Sequence, residues 1–173
     1  DTLNKSVING HYGEIFKAKD SAIITRRALA INIIDQDSLY IHADTLIATG
    51  PPEKKILMGY YDVRIFKKDL RGKSDSLHLD QSTGLIKLLK LPLNRKENQI
   101  LSSSQKNKKN PILWFGKSQM SGDKIFLISD IKTKKLDSLK ILGNSWIVER
   151  DSISETGFNQ IKGGVLDGLF KDG

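Results

Sequence analysis

Two short spacings place potential metal ligands side by side. His42-x-Asp44 and His78-x-Asp80 each put an imidazole and a carboxylate on one face of an extended strand. Zinc needs a third and a fourth ligand, and the chain has no cysteine to supply one. The same absence removes disulfides, iron–sulfur clusters and thiol nucleophiles. Both histidines therefore read as solvent-facing strand positions, and no metal or other cofactor is expected. The chain contains no Gly-x-Ser-x-Gly, no His-Glu-x-x-His and no phosphate-binding Gly-x-x-x-x-Gly-Lys-[Ser/Thr]. Asp35 and Asp37 share a strand face but lie beside turns, where carboxylates bond backbone N–H groups rather than work as acid and base. No catalytic residue is expected.

Charge is the other chemical resource. Lys+Arg total 28 against 20 for Asp+Glu, a net +8 that suits anionic partners. The basic clusters at Arg26-Arg27, Lys54-Lys55, Lys67-Lys68, 106–109 and 132–135 fall mostly at turns. They read as solvated loop charge or as a rim facing phosphates. Nucleic acid is not expected as a partner, because aromatic residues are 7% and do not alternate with the basic clusters along the sequence.

These groups must be held by something, and the texture of the chain is strand. Apolar residues at 38% are enough for a core, though fewer than a compact α/β enzyme usually carries. No apolar run approaches the roughly 20 residues of a spanning helix, and the longest, 28–34, is broken by Asn32. The ends, Asp1-Thr2-Leu3 and Lys171-Asp172-Gly173, read as cuts through a longer protein, leaving one domain-sized segment over 1–173. Short β-branched and aromatic tracts such as Val63-Arg64-Ile65-Phe66 and Ile125-Phe126-Leu127-Ile128 are punctuated by Gly, Asn, Asp and Ser. Ile24, Ala28 and Ile31, and Leu136, Leu139 and Leu142, would also fit helical stripes, but both segments are expected as strands. Residues 93–110 form a polar, serine-rich, basic excursion between strands.

A small unit recurs. Asp-[Ser/Thr]-Leu occurs five times, at Asp1, Asp37, Asp44, Asp75 and Asp137. An Asp-Ser corner bonds backbone N–H groups as the chain turns, and the following Leu opens a strand with its side chain inward. Repetition of such a unit stacks strands along one axis. The apolar positions that alternate with polar ones are Ile41, Leu46, Val63, Ile65, Leu77, Leu79, Ile112, Trp114, Ile125, Leu127, Leu139, Ile141, Trp146 and Val148. They form either an ordinary sandwich core or the lining of an apolar groove.

The strings Asp37-Ser-Leu-Tyr-Ile-His-Ala-Asp-Thr-Leu46, Gly59-Tyr-Tyr-Asp-Val-Arg-Ile-Phe-Lys67 and Gly72-Lys-Ser-Asp-Ser-Leu77 resemble the OstA-like (LptA-like) family of organic-solvent-tolerance and lipopolysaccharide-transport proteins. Pro111-Ile-Leu-Trp-Phe115, Gln119-Met-Ser-Gly-Asp-Lys-Ile125 and Phe158-Asn-Gln-Ile-Lys-Gly163 are similar to its longer, Bacteroidetes-type members. The resemblance covers about residues 20–173 and rests on the order of degenerate strand patterns. It implies an all-β, antiparallel open β-jellyroll, V-shaped, whose groove shields the acyl chains of lipid A in the periplasm. It implies partners of the same kind joined through edge strands, including head-to-tail copies of itself. The 93–110 insertion departs from the short members.

The expectation is a non-enzymatic periplasmic lipid-binding bridge domain for lipopolysaccharide transport to the outer membrane, with the fourteen alternating residues as groove candidates. The alternative is an envelope interaction module that docks partners by strand addition. A carbohydrate-processing β-solenoid is disfavoured for want of an acidic pair away from turns.

Overall fold

In the computed structural model, which describes residues 6–32, 38–91, 110–133, 135–151, 153–154 and 156–170, the β-branched tracts become twelve strands. In chain order they are β1 (Ser6–Asn9), β2 (Tyr12–Phe16), β3 (Ser21–Asn32), β4 (Leu39–Thr49), β5 (Ile56–Lys67), β6 (Leu70–Asp80), β7 (Leu85–Leu89), β8 (Ile112–Phe115), β9 (Ser118–Ser121), β10 (Lys124–Ser129), β11 (Leu136–Arg150) and β12 (Phe158–Leu169). Among the described residues, helix is confined to single 3-10 turns at Lys17–Lys19 and Pro52–Lys54. Both segments with helical spacing are strand, inside β3 and β11. The copies of the repeat at Asp1 and Asp37, and nearly all of the polar excursion, lie outside the described residues.

Every pairing is antiparallel, and the strands form one sheet that is folded on itself. The fold line is written in the backbone. Arg26 and Arg27 (φ 61° and 60°), Tyr61 and Asp62 (62° and 47°), and Gly143 and Asn144 (71° and 48°) are consecutive left-handed pairs in the middle of β3, β5 and β11. At each, the ladder register shifts. Extra residues on one strand bend it and sharpen its twist. In β4 and β6, which lie beside these strands, Asp44 and Asp75 sit at the same bend.

This corrects the expectation for two repeat units. Asp44-Thr45-Leu46 and Asp75-Ser76-Leu77 mark bends within strands, not turns between them. The Leu of each is still buried, at 0% and 2% exposure. Asp123, which is not one of the five copies, sits at a corner: its backbone N–H donates to the carbonyls of Leu142 and Gly143, and its carboxylate accepts from Asn144.

The short strands show which half is which. β2 pairs the first half of β3, and β1 the second. β7 takes one half of β6 and β8 the other. β10 and β9 divide β11 in the same way. Layer one thus holds β2, β7 and β10, layer two holds β1, β8 and β9, and the long strands run through both. The layers face each other across an apolar interior. Gly72 of layer two shows how close they come, since a Cβ there would lie 3.3 Å from Leu88 on layer one.

The inward residues line up in rows across the strands. One row runs Ala22, Ala48, Leu57, Leu79, Ile86, Leu127 and Leu139. A second runs Ile24, Leu46, Gly59, Leu77, Leu88, Ile125 and Ile141. The third, beyond the bend, runs Ala30, Ile41, Ile65, Gly72, Leu113 and Met120. Each fully buried Leu or Ile in these rows contributes roughly 2 kcal/mol through removal from water.

Candidate functional site

The three rows are not equally bulky along their length. At the β7–β11 end they carry Leu, Ile and Met. At the β3–β4 end the first row carries Ala22 and Ala48 and the third carries Ala30, while the second keeps Ile24 and Leu46. A methyl group cannot reach across to the opposite layer, so the interior is left open there. The result is a groove of about 460 Å³ between the layers, at the end formed by β1, β2 and β3. Its walls include Ile8, Ala22, Ile24, Ala30, Ala48 and Leu57. Its lip is polar, with Ser6, Asn32, Glu14, Lys55 and Gln81. Ser6 Oγ donates to Asn32 Oδ1 at 3.2 Å, tying β1 to β3 at this lip. On β2 the Tyr12 hydroxyl donates to Glu14, which raises the Tyr12 pKa, because ionising the phenol would lose that bond beside a carboxylate. Ile15, 77% exposed, stands at the mouth.

The opposite end is shut. Phe115 from layer two and Phe170 after β12 meet edge to face, with ring centroids 5.0 Å apart and planes at 75°. Both pack on the core.

Of the fourteen sequence-derived candidates, Ile41 and Leu79 line the groove. Eight more lie on the inward faces but in the filled part: Leu46, Val63, Ile65, Leu77, Ile125, Leu127, Leu139 and Ile141 are all 5% exposed or less. The remaining four are not brought to the interior. Ile112 and Trp114 flank the buried Leu113, so they point outward from layer two. Trp146 and Val148 alternate with Ser145 (2% exposed) and Ile147, which packs on the core, and so they also face outward. The groove alanines escaped the sequence reading, which sought large apolar side chains. The signal that marks them is the recurrence of small residues on two adjacent strands, Ala22 and Ala30 on β3 with Ala48 on β4.

His42 and His78 sit half-buried on outer faces, and no group of three potential metal ligands occurs among the described residues. His78 Nδ1 is buried without a hydrogen-bond partner. The groove wall carries no acid–base pair, and what it offers chemically is removal of an apolar chain from water.

A two-layer antiparallel jellyroll, folded into a V and open at one end, defines the class of this protein by its fold. No family model matches the chain, and no curated protein matches its sequence. Among solved structures it is similar to LptH of Pseudomonas aeruginosa, described as the LptA-homologous periplasmic component of the conserved lipopolysaccharide transport device. The TM-score is 0.56 at 6% identity, over 92% of this chain and 95% of that one. At that identity what the two share is the fold, the open β-jellyroll that the family resemblance implied.

Proposed function

We propose that this chain is a non-enzymatic, periplasmic component of lipopolysaccharide transport that holds an acyl chain in the groove between its layers. The observation that carries this reading is the apolar opening walled by Ala22, Ala30 and Ala48, on a fold shared with LptH. Each methylene taken from water contributes about 0.8 kcal/mol, so a stretch of about ten would contribute roughly 8 kcal/mol before ordering costs. Such a wall needs no polar motif, and it leaves the phosphates and sugars of the lipid to the polar lip. Ile41 and Leu79 are the sequence-derived residues that would touch the guest first. The eight filled-core candidates would touch a longer guest only where the layers part.

A second reading is favoured by one observation. β12 is twelve residues long and pairs only with β11 among the described strands. Its outer edge is a template for strand addition, by another transport component or by a copy of this chain. This would complement the groove.

The test is photocrosslinking. A benzophenone side chain at Ala48 or Ala30 is expected to capture lipopolysaccharide through an acyl chain, and one at Phe126, on the outer face of layer one, is expected not to. Capture at Phe126 equal to that at Ala48 would overturn the proposal.

A further inference from the structure

The outer face of layer two carries a second surface, distinct from the groove. Cross-strand neighbours form a continuous row through Tyr40, Phe66, Arg71, Trp114, Gln119 and, past Val148, Gln160. The adjoining row on the same face includes Arg64, Lys73, Trp146 and Lys162. At about 4.8 Å per strand the face is about 30 Å long.

The side chains on it are organised. Tyr40 and Phe66 lie 6.2 Å apart between ring centroids, and the Arg71 guanidinium sits 5.4 Å over Phe66. The indole N–H of Trp114 donates to Gln119 Oε1 at 2.9 Å, and that of Trp146 to Gln160 Oε1 at 3.4 Å. Each glutamine oxygen is thus engaged, and its amide NH2 remains to donate outward. The two rows hold four cations, Arg64, Arg71, Lys73 and Lys162, and no carboxylate. Asp62, at the neighbouring bend, pairs with Arg64 at 3.0 Å, and among the described residues no carboxylate pairs with Arg71, Lys73 or Lys162.

We propose that this face binds an acidic polysaccharide. Aromatic rings stack on the apolar faces of sugar rings, amide N–H groups donate to hydroxyl oxygens, and guanidinium and ammonium groups hold carboxylate or phosphate substituents. The cations are interspersed with amides and the Ser121 hydroxyl instead of forming a continuous track. That spacing suits a polymer rich in hydroxyls with separated acidic groups better than one with a phosphate on every residue. A second copy of the chain, itself +8, is repelled from a cationic face. The residues of this face come from seven strands between β4 and β12, and the sheet brings them together.

The chain's two tryptophans, Trp114 and Trp146, both lie on this face, so intrinsic fluorescence reports on it directly. Polygalacturonate is expected to quench the fluorescence saturably, with affinity falling as salt rises, and neutral dextran to act much more weakly. The double variant R71Q/K73Q should lose about tenfold or more in affinity, and Tyr40→Ala several-fold. Ala48→Phe, which fills the groove, should bind polygalacturonate as the parent does, so this test and the crosslinking test fail independently. Dextran binding equal to polygalacturonate, tighter binding of oligo(dT), or unchanged affinity in both R71Q/K73Q and Tyr40→Ala would each overturn the proposal.

Discussion

Asp80 holds the turn at which β6 hands over to β7. Its Oδ1 accepts from the Ser82 hydroxyl at 2.7 Å and from the Ser82 backbone N–H at 2.9 Å, and the hydroxyl bond above all lowers its pKa. A carboxylate whose folded pKa lies below its unfolded value of about 3.9 adds stability at pH above that value and loses it as pH falls through the folded pKa. Asp80→Asn is therefore expected to lower the melting temperature slightly at neutral pH, by less than about 1 kcal/mol of stability at this half-buried surface turn. The gap between the two proteins should narrow in thermal melts as pH falls through the folded pKa of Asp80. A second residue-scale prediction separates open from filled interior. Ala43 is 0% exposed and its Cβ lies 3.4 Å from where a side chain on Gly59 would begin, whereas Ala48 opens onto the groove. Ala43→Leu should cost about 1–3 kcal/mol through overpacking. Ala48→Leu should be neutral or stabilising in urea unfolding while reducing capture of an acyl chain. Equal losses at the two positions would mean that the groove is closed in solution.

The elements owe their shape to the bends, and the bends decide which residues face inward. In β3, β5 and β11 two left-handed residues intervene, and inward positions keep their parity: 22, 24, 28 and 30 in β3, and 139, 141, 145 and 147 in β11. In β4 and β6 the inward set switches parity, from 39, 41 and 43 to 46 and 48, and from 70 and 72 to 77 and 79. Alternation reads correctly up to a bend and is ambiguous beyond it. Ile41, Val63 and Ile65 alternate simply with polar neighbours and read as inward; Trp146 and Val148 are the large apolar residues of their tract, and choosing by size puts them on the face that Ser145 and Ile147 occupy. β8 is apolar at all four positions, Ile112–Phe115, so its sequence holds no parity at all. The strand content and the layering could be read because β-branched residues and turn formers act locally; the open end depends on absent side-chain volume, which no pattern of large residues reveals. The bends themselves are testable. Gly143 has φ 71°, and a Cβ there would collide with the Asp123 carboxylate. Gly143→Val should cost roughly 3 kcal/mol or more, and Asn144→Gly, at φ 48°, should change stability by less than about 1 kcal/mol, in equilibrium unfolding. A tolerated Gly143→Val would mean that the fold line is not set by this backbone.

At the scale of the whole molecule, the sheet ends in two edges that differ in length and share a bend. One edge is β12, which follows β11 across the fold line, with Gly164 opposite the Gly143–Asn144 bulge. The other is β1 and β2, which together follow β3 and are separated by Gly10 and His11 opposite its own left-handed pair. Each edge therefore presents a strand bent at the level of the same fold line, so in the self-association proposed above the β12 edge of one copy would match the β1–β2 edge of the next. Exposed apolar residues stand at both, Ile161, Val165 and Leu169 on β12 and Val7 and Ile15 on the other. A contact between two different edges is heterologous, so unless its rotation closes a ring it would build open chains of copies and not a symmetric dimer. It would also set the open mouth of one groove against the aromatic-sealed end of its neighbour. The expected behaviour is a weight-average mass in sedimentation equilibrium that rises continuously with concentration. Placing charge on one edge with Ile161→Lys and Val165→Lys should return the chain to monomer without lowering its melting temperature, since these side chains are 57% and 54% exposed. A discrete dimer indifferent to those substitutions would assign self-association to some other surface.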